Sequence, residues 1–333
     1  MCMNIAMTVP SMAVPHGGIR IILEWANRLS VRHKVTLFCR KGKTPPAWID
    51  ISPKIIITSN QRDLREHAIL IICSPHDIDL IKMRDMPRRK FVFLQMLEHL
   101  FKPGDLRWLN VCTRAYGCNV PIILISKWNQ AYIERNFPLR DAPIYYVGNG
   151  VNFKDFPIEA NCKKDGKTIL LEGWESSNAS KDPEAIGPMA AQMLREDGYK
   201  ILAYSHLPLN RFSDVTNEYY LRPSIGKLNE LYRRATILVK ASRYDARSCS
   251  PLEAMTKGTV TVRAITQGDD DLKDRENCLR VEYYDEVKLY NTVLKLFDDQ
   301  ELLKKLKINC LEYVQKYSWD YWMPQIEGIL LNG

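Results

Sequence analysis

Short runs of apolar, β-branched residues alternate along this chain with longer stretches whose apolar positions recur every three or four residues. The runs are NIAMTV, KVTLF, KIIIT, AILIICS, KFVFLQM, PIILIS and PIYYVGN, then KTILLEG, YKILAYS, ATILVKAS, GTVTVRA and LRVEY. Each is of strand length, and their composition predicts strands. Between most of them the spacing is helical: in IRIILEWANRLS, Ile19, Ile22, Leu23, Ala26 and Leu29 share one face. Strands that are apolar throughout need cover on both faces. The pattern therefore predicts parallel sheets between helices, an α/β protein of the doubly wound kind.

The alternation breaks near positions 148–165, where GNGVNFKDFPIEANCKKDGK is polar and carries glycines, a proline and lysines, and a fresh strand follows. With 333 residues the chain also exceeds what one core usually holds. The sequence thus predicts a Rossmann-like domain over 1–155, a second over 156–315, and a C-terminal helix over 316–333 packing back on the first. The rings of YSWDYWMPQIEGIL are expected to pack between the domains. Ligands are expected in a cleft at the carboxyl ends of both sheets.

Composition narrows the class. The chain is 46% hydrophobic and 26% charged, with no apolar run long enough to cross a membrane. MCMNIAMTVPSM lacks the layout of a signal peptide, so the expected location is the cytoplasm, with attachment at a membrane surface still open. Nine cysteines without a C-x-x-C pair predict reduced thiols and no structural metal. A net charge of +8 favours anionic partners such as nucleotides, lipid headgroups or nucleic acid without choosing among them. The clusters RKGK at 40–43, PRRK at 87–90 and RR at 233–234 read first as solvated surface.

Two stretches suggest chemistry. Gly17 and Gly18 follow the first strand and precede the first helix, where backbone N–H groups can receive a phosphate or simply form a tight turn. SRYDARSCSPLEAMTKG, at 242–258, follows a strand and opens a helix. Ser250-Pro-Leu-Glu253 reads as a capping box, with Ser250 as N-cap and Pro251 as first helical residue. Capping accounts for Glu253 but not for Asp245. Two acids beside a helix start suit a nucleotide sugar: the N–H groups of Ser248, Cys249 and Ser250 would take the diphosphate, and the carboxylates the hydroxyls.

SRYDARSCSPLEAMTKGTVTV resembles the acid-x7-acid signature of retaining GT-B glycosyltransferases, and further segments match in that family's order from about residue 10 to 325. They are VPHGGIR, VGNGVNFKDF, EGWESSNASKDPEAI, GDDDLKDRENCLRV and YSWDYW. The resemblance implies two Rossmann-like domains and transfer, with retention, from a nucleoside-diphosphate sugar without a metal or other cofactor. It assigns Gly17, Gly18 and Lys181 to the diphosphate, Asp245 to the donor sugar and Glu253 to the ribose. The sequence departs from the family at Asp245, where glutamate is usual, and at Trp174, where arginine is usual; Arg20 or Arg247 is a candidate replacement cation.

On the acceptor side, QMLEHLF resembles a Q-x-x-E-x-x-F pattern in one branch of the family, which points to Gln95, Glu98 and His99 at a strand end. Glu98 or His99 would orient or deprotonate an acceptor hydroxyl, or else form a solvated pair at the start of a surface helix. His76 is a second candidate base, and His16 is expected to line the floor. Asp269, Asp270 and Asp271 are expected to cap a helix, not to bind a metal. The expected acceptor is a cell-envelope glycan or lipid-linked sugar. The alternatives are a hydroxymethylated base in DNA, a nucleotide-sugar epimerase, or a binding protein that has lost turnover.

Overall fold

The computed structural model describes residues 2–13, 17–42, 44–172, 182–206, 213–266, 268 and 272–333. The chain forms two compact units.

The first unit comprises Met1–Asn149 and Trp322–Gly333. Its sheet contains β1 (Asn4–Thr8), β2 (Lys34–Phe38), β3 (Ile56–Thr58), β4 (Ile69–Ile72), β5 (Arg89–Leu94), β6 (Ile122–Leu124) and β7 (Ile144–Tyr146), in the order β3-β2-β1-β4-β5-β6-β7. Every pairing is parallel. The helices are α1 (Gly17–Leu29), α2 (Leu106–Tyr116) and α3 (Lys127–Asn136). The apolar face of α1 lies against the sheet, where Trp25 stacks on Phe93 with ring centroids 4.1 Å apart. Asp105 and Ser126 cap α2 and α3 by accepting from Trp108 and Asn129 backbone N–H groups, which the first turn of a helix leaves without an internal partner.

The second unit is Gly150–Tyr321. Its sheet contains β8 (Thr168–Glu172), β9 (Lys200–Ser205), β10 (Glu218–Leu221), β11 (Ile237–Lys240), β12 (Val260–Ala264) and β13 (Leu279–Val281), in the order β10-β9-β8-β11-β12-β13 and again parallel. Its helices are α4 (Ile186–Glu196), α5 (Ile225–Arg234), α6 (Cys249–Met255), α7 (Glu286–Asp298) and α8 (Gln300–Val314). α9 (Trp319–Asn332) begins in this unit and ends in the first. Gly258, with φ at +61°, turns the chain from α6 back into β12. Gly150 lies so close to Trp319 that a Cβ would fall 2.4 Å from its ring.

All the strands predicted from apolar runs form. β10 has no counterpart among them: EYYL begins on a glutamate and is half-buried to exposed at the sheet edge, so it carries no apolar run. Each sheet reverses its strand order once, between β1 and β4 and between β8 and β11, and ligands of doubly wound sheets gather at the carboxyl ends of such strands.

Candidate functional site

At the reversal in the second unit, the last residues of the two central strands meet. Lys240 closes β11 and Glu172 closes β8, and the lysine Nζ lies 2.7 Å from Glu172 Oε2. The same nitrogen is 3.2 Å from Asp245 Oδ2. Lys240 is only 1% exposed. Burial by itself lowers its pKa, but the Glu172 and Asp245 carboxylates outweigh that effect and the net shift is upward, so the ammonium stays charged.

The loop after β11 carries Asp245 to this point and then enters α6. Ser248 Oγ donates to Asp245 Oδ2 at 2.9 Å, and Ser250 Oγ donates to Glu172 Oε2. Glu253, 4% exposed, accepts from the Tyr232 hydroxyl at 3.2 Å, and the Tyr232 and Tyr204 hydroxyls are 3.0 Å apart. Burial first, and then the negative charge of Glu172, push the Tyr204 pKa far above its usual value, so it stays a neutral hydrogen-bonding phenol. Gly268 presses on the loop from outside: a Cβ there would sit 2.3 Å from the Ala246 backbone. The Arg247 guanidinium stacks 4.4 Å from the centroid of the Tyr317 ring.

The predicted capping box does not form. α6 starts at Cys249 with Ser248 at the cap position, and no side chain caps it. The physical reason is competition: Glu172 takes the Ser250 hydroxyl, Tyr232 contacts Glu253, and Asp245 takes the Ser248 hydroxyl.

In the first unit, the candidates lie after β1, β4 and β5, three neighbouring strands. Gly17 and Gly18 open α1, with open space beside Gly17: a Cβ there meets no atom within 4 Å. Gln95 follows β5 directly, and its Nε2 donates to the Gly18 carbonyl at 2.8 Å, tying that strand end to the helix start. Glu98 and His99 open a short 3-10 helix, Glu98–Phe101.

Glu98 is half-buried by surface area, yet its carboxyl group is enclosed deeply enough that burial pushes its pKa up to about 7, with Lys102 pulling weakly the other way. His99 is lowered by burial, and its Nδ1 lies 3.3 Å from the Tyr116 hydroxyl. Trp108 joins the third candidate to these two. Its Nε1 donates to the Glu98 carbonyl at 2.9 Å, and its ring centroid is 4.5 Å from that of His76.

No protein-family model matches the sequence, and no curated protein matches it. Solved structures do match its fold. Sucrose-phosphate synthase from Thermosynechococcus elongatus has a TM-score of 0.78 at 16% identity, covering 98% of each chain. Anabaena Alr3699/HepE in complex with UDP-glucose has 0.75 at 13%, covering 99% of this chain and 100% of that one. An alpha-glucosyltransferase in complex with UDP-glucose and DNA containing an abasic site has 0.66 at 15%, covering all of both chains.

The chain has the GT-B fold. Asp245, Ser248, Cys249, Ser250 and Glu253 belong to the second unit, and Gly17, Gly18, Gln95, Glu98 and His99 to the first. Lys181, Trp174, His16 and Asp269 to Asp271 lie outside the described residues. Asp182, next to Lys181, accepts from the Ile186 and Gly187 N–H groups at 2.9 and 2.7 Å. Burial pushes its pKa up to about 6. Among the described residues, no group of three or more His, Cys, Asp or Glu could hold a metal, and no helix is long and apolar enough to cross a membrane.

Lys240, Glu172, Tyr204 and Tyr232 were not singled out by sequence. The available signal was a charge closing each of two apolar runs, TILVK and TILLE. Five residues of the basic clusters have partners within their own units. Arg40 pairs with Asp77, Arg89 caps carbonyls of Leu330 and Gly333, and Lys90 reaches the Ile81 carbonyl. Arg233 pairs with Glu159, and Arg234 with Glu218 and Asp165.

Proposed function

We propose that this protein is a glycosyltransferase that moves a sugar from a nucleoside-diphosphate sugar to an acceptor hydroxyl, with retention at the anomeric carbon and without a metal or other cofactor. The observation that carries the reading is the acid pair of the second unit: Asp245 and Glu253, both largely buried, flank the start of α6 just beyond the strand reversal. Two GT-B neighbours were solved with UDP-glucose, which makes a UDP-hexose the first donor to test.

In this reading Glu253 accepts from ribose hydroxyls and Asp245 from the sugar, while Gly17, Gly18, Lys181 and the N–H groups of Ser248, Cys249 and Ser250 receive the diphosphate. The bond from the anomeric carbon to the diphosphate oxygen breaks, a bond to the acceptor oxygen forms, and the acceptor proton leaves. Glu98 suits that proton: with a pKa near 7 it is present in both forms at neutral pH, while His99 stays neutral.

The acceptor we propose is a cell-envelope glycan or lipid-linked sugar. DNA is the second reading, favoured by the neighbour solved with DNA; of the basic clusters, Arg40, Arg233 and Arg234 are paired with carboxylates of the protein itself. The test incubates the protein with radiolabelled UDP-glucose and other nucleotide sugars, and with lipid-linked glycans or hydroxymethylated DNA. Label moving to the glycan supports the main reading, and label moving to DNA replaces its acceptor. Epimerised free donor, or donor binding with no turnover, would overturn transfer in favour of an epimerase or a binding protein.

A further inference from the structure

Two runs of buried polar groups lead from the two acids of the candidate donor site. One is Ser248, Asp245, Lys240, Glu172, Ser250, and the other Glu253, Tyr232, Tyr204. Ser250 lowers the Tyr204 pKa against the burial that raises it, so the two runs lie side by side. Lys240 supplies the positive charge between two of the three carboxylates named, Glu172 and Asp245. Its position in the strand is one where an apolar side chain would pack. A buried ion pair there costs desolvation and is not the cheapest way to hold β8 and β11 together.

We infer that Lys240, held by Glu172, is a positioning residue that fixes the direction of the Asp245 carboxylate toward the donor sugar. This rests on the glycosyltransferase reading and deepens it. The geometry gives the cause. Lys240 Nζ and Ser248 Oγ converge on the same oxygen, Asp245 Oδ2, at 3.2 and 2.9 Å. Two donors from different directions leave the carboxylate one orientation. Glu172 in turn stops the ammonium from moving toward Asp245 alone, since it binds the lysine at 2.7 Å from the neighbouring strand. Aspartate is also one methylene shorter than glutamate, so its reach depends more on where its backbone and carboxylate are held.

The same geometry separates this role from a purely structural one. Lys240→Met alone strands Glu172 in a buried site, and its loss of activity would be confounded by loss of fold. Lys240→Met with Glu172→Gln removes both charges and is expected to fold normally, as judged by circular dichroism and thermal melting. In that double variant the transfer kcat should fall roughly 10- to 100-fold, because a reacting group is misplaced. Affinity for free UDP, which lacks the sugar, should stay unchanged by calorimetry. Adding Asp245→Asn should cost no more. Ser248→Ala, which removes the other contact to Oδ2 and no charge, should give the same signature at smaller size. If the double variant and Ser248→Ala both retain wild-type kcat, or lose UDP affinity in step with kcat, the positioning role is wrong while the transferase reading stands. A wild-type protein that neither binds nor turns over any nucleotide sugar overturns that reading and this inference with it.

Discussion

The two candidate sites handle buried charge in opposite ways. At the strand reversal of the second unit, charges are kept and neutralised in pairs: Lys240 stays an ammonium because Glu172 and Asp245 surround it. After β5 in the first unit, charge is suppressed: Glu98 and His99 are both shifted toward their neutral forms, chiefly by burial. A site that must hold a polar ligand in one pose benefits from fixed charges. A site that must pass a proton benefits from a group poised between its forms. The contrast is the one that the proposed division of labour between donor binding and proton transfer calls for.

The sharpest way to break the contrast is to remove one member of the paired site. Lys240→Ala should lower the stability of the second unit by ~3–5 kcal/mol, because a buried carboxylate is left without its cation. Urea denaturation followed by a probe in that unit measures it. A change below about 1 kcal/mol would show that the pair is not electrostatically important.

Glu98 should behave in the opposite sense. Its folded pKa, about 7, lies above the ordinary 4.5, so its stabilising contribution is full below pH 4.5 and is lost as pH rises through 7. That loss amounts to ~3 kcal/mol at most. Glu98→Gln should match the wild type in stability near pH 4 and exceed it near pH 8, and it should remove any limb of the kcat–pH profile near 7. Equal pH dependence of stability in the two proteins would refute the burial effect.

Two smaller changes sharpen the picture within the second unit. Gly268→Ala drives a Cβ into the Ala246 backbone and should cost ~1–3 kcal/mol while weakening donor binding, since the Asp245 loop must shift. Calorimetric donor titration alongside thermal melting reads both effects. Tyr232→Phe removes the hydroxyl held against Glu253 and should raise the donor Kd about fivefold, ~1 kcal/mol, with no change in the pH profile of Glu98.

The sheets were legible because buried parallel strands must be apolar along their length, and that requirement leaves a run in the sequence. β10 was not, because an edge strand is freed from it. That Asp245 and Glu253 stand beside a helix start was legible in the sequence, but the side chains they meet were not. Lys240 and Glu172 stand 68 positions apart and meet only because β8 and β11 are neighbours. Local chemistry misled at Ser250: the serine-to-glutamate spacing that signals a cap is present, but a carboxylate from another strand claims the hydroxyl. Gln95 shows the same limit, since its tie to the Gly18 carbonyl spans 77 positions.

The division of α9 between the units sets an order of assembly. Residues 150–321 form a continuous unit, whereas the first unit is completed by Trp322–Gly333. The first-made part of the protein thus waits for residues synthesised after all of the second unit. Until then Arg89 lacks the carbonyls of Leu330 and Gly333, and Tyr146 lacks the Trp322 ring that packs 6.1 Å from its own. Domains usually fold as they emerge, amino-terminal first. A chain ending before residue 322 would therefore hold all of the second unit and lack the last part of the first, leaving an incomplete amino-terminal unit open to chaperones and proteases.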